Sequence, residues 1–159
     1  MRLFLKVSVL CAALLAVTPA WGKTSYLSEE QLQAEVRRGV EEILDLWRDG
    51  RYLELYERTT MAGKQTRERF AKTVAAAPLR PACCWEKLQE VKISVKGDAV
   101  ATVRAKLGFE GSGGVDFKTR SFKMVKEEGV WRMSQSEILT LAEAKKKGSR
   151  KKLSTVYRQ

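Results

Sequence analysis

What narrows the folds open to this chain most is a run of alternating residues between Trp85 and Ile138. Val91, Ile93 and Val95 alternate with Lys92, Ser94 and Lys96. A period of two rich in β-branched side chains marks a strand with one buried face. Gly97-Asp98 interrupts the run where a tight hairpin connection is expected. The return strand places Ala99, Ala101, Val103, Ala105, Leu107 and Phe109 inward and Thr102, Arg104 and Lys106 outward, with Val100 out of step. Gly111-Ser112-Gly113-Gly114 reads as a flexible loop. In the third strand Val115 and Phe117 lie opposite Asp116 and Lys118, and near Ser121 the apolar positions change parity to Phe122 and Met124. A one-residue flip predicts a β-bulge, and bulges bend sheets. Trp131 and Met133, after Glu127-Glu128-Gly129, supply a fourth strand of a strongly curved antiparallel meander. The alanines at 99, 101 and 105 leave its inner face shallow, which fits either close helix packing or a cavity.

The residues before this run are patterned to cover it. Ser28 with Gln31 three residues on has capping-box spacing, and Leu27 and Leu32 are placed for a hydrophobic staple. Leu32, Val36, Val40, Ile43, Leu44 and Trp47 then form one helical stripe, which Asp49-Gly50 ends. A short second helix carries Tyr52, Leu53, Leu55 and Tyr56. A third starts near Thr66, packs through Phe70 and Val74, and is closed by Pro78 and Pro81. Ser134 or Ser136 caps a last short helix through Ile138, Leu139, Leu141 and Ala142. The fold class expected is α+β, with three N-terminal helices on a cone-like curved sheet.

Composition matters here by region. Residues 1–22 read as a cleaved signal peptide: Arg2 and Lys6 precede the apolar run Val7 to Val17, and Ala20-Trp21-Gly22 fits the small-x-small rule. Cleavage after Ala20 is the alternative. Leu10 stands before Cys11 where a bacterial lipoprotein signal wants a small residue, so no lipid anchor is expected. The destination is periplasmic or secreted. Of the 159 residues, 137 then remain, the domain being 23–144 and a basic tail 145–159. That length supports a core without disulfide staples. The remaining chain has 28 basic and 19 acidic residues, but seven of the basic ones lie in the tail, which has no acid. The body is therefore close to neutral, which argues against specific nucleic-acid binding by the domain. From Gly148 onward disorder is expected.

The segment Leu46-Trp47-Arg48-Asp49-Gly50-Arg51-Tyr52-Leu53-Glu54-Leu55-Tyr56, with the closing Gly129-Val130-Trp131-Arg132-Met133-Ser134, resembles the nuclear-transport-factor-2-like superfamily over about residues 28–142. The resemblance implies a cone whose sheet wraps a helix around a pocket, often with dimerisation through the outer sheet face. Members include isomerases, dehydratases, hydrolases and non-catalytic binding domains, so fold alone does not choose a function. The family's catalytic His–Asp pair has no counterpart, because the chain has no histidine. Its Tyr-plus-carboxylate arrangement is not recognisable beside Tyr52 or Tyr56.

Absence of histidine also excludes Ser–His–Asp and Cys–His nucleophile systems and His-containing metal sites. No catalytic residue, metal or cofactor is assigned. Trp47, Tyr52, Tyr56, Trp85, Phe109, Phe117 and Trp131 are the candidates to line a ligand pocket, although aromatics at such spacings more often form core. Asp45, Asp49 and Glu54 near the first helix joint read as solvated helix charges. Cys83-Cys84 is a possible disulfide or redox pair in an oxidising compartment. Burial as two small packing residues is the reading preferred for it. Arg104 and Arg120 are placed on the outer strand face, where they serve a dimer surface or simply stay solvated. The tail residues Lys145, Lys146, Lys147, Arg150, Lys151 and Lys152 are candidates for weak contact with anionic surfaces. The function expected is an exported, non-catalytic domain binding a small hydrophobic ligand or a partner protein through the cone. The alternatives are a pocket enzyme using Tyr or carboxylate groups, and an envelope-surface protein binding anionic polymer through its tail.

Overall fold

The structure, a computed structural model, describes residues 28–60, 62–63, 65–111 and 113–143. The signal peptide, Leu27 and the basic tail, as read from the sequence, lie outside the described residues.

Helix α1 (Glu29–Arg48) begins at Ser28, whose hydroxyl accepts from the Gln31 N–H while the Gln31 side chain accepts from the Ser28 N–H. Two orphan donors of the first turn are thereby satisfied. Its buried stripe is the one the heptad-like spacing predicts, with Gly39 added. A Cβ at Gly39 would stand 2.9 Å from the Trp131 Cβ, so the helix comes close to the sheet there. Helix α2 (Tyr52–Glu57) turns back after Gly50, and α3 (Arg67–Ala75) starts at a Thr66 cap and buries Phe70 and Val74.

Strand β1 (Arg80–Pro81) and strand β2 (Leu88–Lys96) share one edge of β3 (Val100–Gly111). Strand β4 (Gly114–Glu127) pairs on the other edge, and β5 (Val130–Met133) pairs with β4. All pairs are antiparallel, and the sheet is strongly curved, a half-barrel behind the helices. Helix α4 (Gln135–Ala142), capped by Ser134, lies beside β4, where the Glu137 carboxylate accepts the Lys123 backbone N–H. The Thr60 N–H donates to the Met133 carbonyl and the Met133 N–H to that of Arg58, so residues 58–60 cover the outer edge of β5.

Three sequence expectations need correction. No bulge occurs at Ser121: β3 and β4 stay in register from Val100–Val125 to Gly111–Gly114. The parity change has another cause. Phe122 and Met124 share the helix-facing side with Val103 and Ala101, but farther along that side stand Arg120, Lys118 and Asp116. There the helical layer ends and water reaches the inner face, so the apolar Val115 and Phe117 point outward. Arg120 consequently lies on the face opposite Arg104. The bulge is in β2, where Glu90 and Val91 oppose Ala105 alone and Glu90 adopts φ +50°. Finally, Ala99 belongs to the β2–β3 turn.

Candidate functional site

The seven aromatics are distributed rather than gathered around one cavity. Trp47, Phe109 and Trp131 are core residues, with 1%, 0% and 4% of their surface exposed. The Trp47 and Phe109 rings meet at 5.7 Å. Ala101 and Ala105 are buried without trace of exposure beneath the same cluster, so the shallow inner face is filled by helix α1. Tyr56 packs edge-on against Phe70, and its hydroxyl donates to the Gln65 carbonyl at 3.4 Å rather than to a carboxylate. Tyr52 is half-buried at the core margin. Trp85 and Phe117 lie outside altogether, 73% and 42% exposed.

The grooves that do exist are on the surface. One of about 440 Å³ runs between α1 and α2, lined by Glu42, Asp45, Leu46, Arg51, Glu54, Glu57 and Arg58. Its carboxylates are paired: Glu42 with Arg58, Glu54 with Arg51, Glu57 with Arg67, and Asp45 with Lys87 at 2.6 Å. The Arg51 guanidinium holds the Glu54 carboxyl below its ordinary range. In a neighbouring groove of about 250 Å³, the Lys126 ammonium does the same to Glu35, with the Trp131 indole N–H assisting against the opposing effect of burial. Carboxylates held ionised in this way are poor proton donors near neutral pH. A third groove, about 310 Å³, surrounds Gln135, whose side chain accepts the Gln65 N–H at 3.0 Å. A side chain at Gly63 would collide with that amide. Among the described residues no three Cys, Asp or Glu groups gather as a metal site.

The outer face of the sheet is organised differently. The Ala82 N–H donates to the Gly108 carbonyl at 2.9 Å, and the Gly108 N–H donates to the Lys87 carbonyl at 3.3 Å. Residues 83–86 therefore loop out opposite a single residue of β3. The loop folds over the outer face, where the Glu86 carbonyl occupies the space a Gly108 side chain would need and the Phe117 ring closes the other side. Cys83 and Cys84 are joined by a disulfide in this loop, both exposed, with Cys84 at φ +58°. The expectation of two buried packing residues is overturned because this loop leaves the sheet instead of entering it. The loop is anchored by the Cys83 N–H on the Glu110 carboxylate and by Lys87 on Asp45 of α1. Trp85 stands at its tip.

Beside this loop, strand register places Lys92, Lys96, Arg104, Lys106 and Lys123 on the same outward face. Lys106 bridges to Glu90 at 3.5 Å and lies 4.8 Å from the centre of the Phe117 ring. Lys92, Lys96, Arg104 and Lys123 have no carboxylate partner among the described residues, and Lys92 faces Arg104 directly across the strands. The chain matches no family model and no curated protein.

Alternation had already put Lys92, Lys96, Arg104 and Lys106 outward. A sum of charge over the whole body conceals them, because residues 28–60 carry nine acids against five bases and offset the sheet. Segregation of charge, rather than its sum, was the signal.

Proposed function

We propose that this chain is an exported, non-catalytic binding domain that engages a macromolecule or a membrane through its outer surface. The observation that carries this is the filled interior. The space between α1 and the sheet, where a cone would hold a ligand, is occupied by Trp47, Phe109, Leu107 and Met124 at no more than 1% exposure. The large exposed apolar side chains, Trp85, Phe117 and Leu53, all point away from it. The helix–Gly–aromatic joint and curved sheet support membership of the nuclear-transport-factor-2-like superfamily, and the leader sequence supports export. A homodimer through the outer sheet face is disfavoured, because a twofold axis would set the cations of one copy against those of the other.

Native mass spectrometry of the exported chain, purified without denaturation, tests this reading. The expected result is the mass of the polypeptide alone. An apolar small molecule retained at one equivalent returns the cone pocket to first place.

A further inference from the structure

The outer sheet face has the composition of a docking surface for a membrane rather than for a folded partner or a polymer. Its cations span three strands, about 10 Å across at the spacing of paired strands, and about 20 Å along β3 at ~3.3 Å per residue. Serine and threonine hydroxyls at Ser94, Thr102, Thr119 and Ser121 lie between them. Lys92 opposite Arg104 is a like-charge pair that costs stability when nothing neutralises it. An external anion would relieve that cost.

Which anion is decided by shape and by the aromatics. None of the grooves described above is lined by these cations, which stand on an open face. Phe117 lies against Lys106, which Glu90 already bridges, and the described strands place no aromatic among Lys92, Lys96, Arg104 and Lys123, as base stacking would require. Both exposed aromatics belong to one end of the face, Trp85 on the turn whose Glu86 carbonyl covers Gly108 and Phe117 on the other side of that glycine. Indole and phenyl groups beside a cationic face suit the boundary between lipid headgroups and acyl chains. No helix among the described residues is long and apolar enough to cross a membrane, so such docking is peripheral.

We propose that the β2–β4 outer face docks on an anionic phospholipid surface, with Trp85 and Phe117 entering the interface and Lys92, Lys96, Arg104 and Lys123 meeting the phosphates. This rests on the surface-binding reading above and names its partner. The test is flotation of the exported chain with phosphatidylcholine vesicles, with and without phosphatidylglycerol, while Trp85 emission is followed. Trp47 and Trp131 are buried, so among the described tryptophans the shift reports Trp85. Expected is binding to the anionic vesicles only, with a blue shift that Trp85→Phe abolishes. The double variant Lys92→Gln/Arg104→Gln should partition about thirtyfold less, which is ~1 kcal/mol for each cation near the surface. Neutralising Lys145, Lys146, Lys147, Arg150, Lys151 and Lys152 to Gln should leave the blue shift in place. Binding that survives in the sheet variant but vanishes in the tail variant overturns the proposal. So does tighter binding to a soluble polyanion such as heparin than to vesicles, although that result leaves the surface-binding reading standing.

Discussion

At the scale of single residues, close backbone approaches decide where side chains are allowed. Replacing a strand glycine by alanine ordinarily helps by about 0.5–1 kcal/mol, since glycine loses more conformational freedom on folding. Gly108 is the exception, because its missing side chain is where the Glu86 carbonyl rests. Gly108→Ala should therefore destabilise, by about 2 kcal/mol if the loop yields as overpacked sites usually do. Urea unfolding measures this through the midpoint at unchanged slope. A midpoint that rises would mean the 83–86 loop does not lie over β3. Nothing in the local sequence announces this role: Gly39, Gly63 and Gly108 are each required by a neighbour distant in the chain, Trp131, Gln135 and Glu86.

At the scale of elements, what was legible was what is local. The Ser28 capping box, the helix start near Thr66, the cap at Ser134, one of two serines offered, and the α1 stripe depend on residues within one or two turns, and the structure forms each of them. Strand β3 was also readable, its inward residues from Ala101 to Phe109 being covered along their whole length. Strand β4 departs from its apolar pattern for a physical reason. Parity of apolar residues reports which face is covered, and its cover changes midway while its register does not. The aromatics failed similarly: residue type marks a side chain as apolar, but the loop after Ala82 determines that Trp85 faces water. The same cross-strand logic gives a prediction. Lys92→Thr removes a like-charge contact with Arg104 and adds a β-branched residue, so thermal or urea unfolding should show a gain of about 0.5 kcal/mol. A loss of that size would indicate that Lys92 has a stabilising partner.

At the scale of the molecule, charge separates by layer: acids gather on the helices and unpaired cations on the sheet. Two ion pairs stitch the layers along α1, Glu35 with Lys126 at 2.7 Å and Asp45 with Lys87 at 2.6 Å. The Lys126 ammonium lowers the Glu35 carboxyl from its usual value of 4.5, aided by the Trp131 indole. The folded chain thus holds that carboxylate ionised to lower pH than the unfolded chain does. Stability from this group is complete above about pH 4.5, the unfolded value, and is lost as pH falls through the lower folded value. Glu35→Gln lacks that linkage. Thermal melts should show the natural chain ahead of the variant at neutral pH, with the gap narrowing only below pH 4.5 and closing in stronger acid. Because Glu35 is partly exposed, moderate salt should shrink the gap as well. If the difference between the two chains stays constant down to strong acid, the Glu35–Lys126 pair does not hold the layers, and their joint rests on the packing of Gly39 against Trp131 and on Asp45 with Lys87.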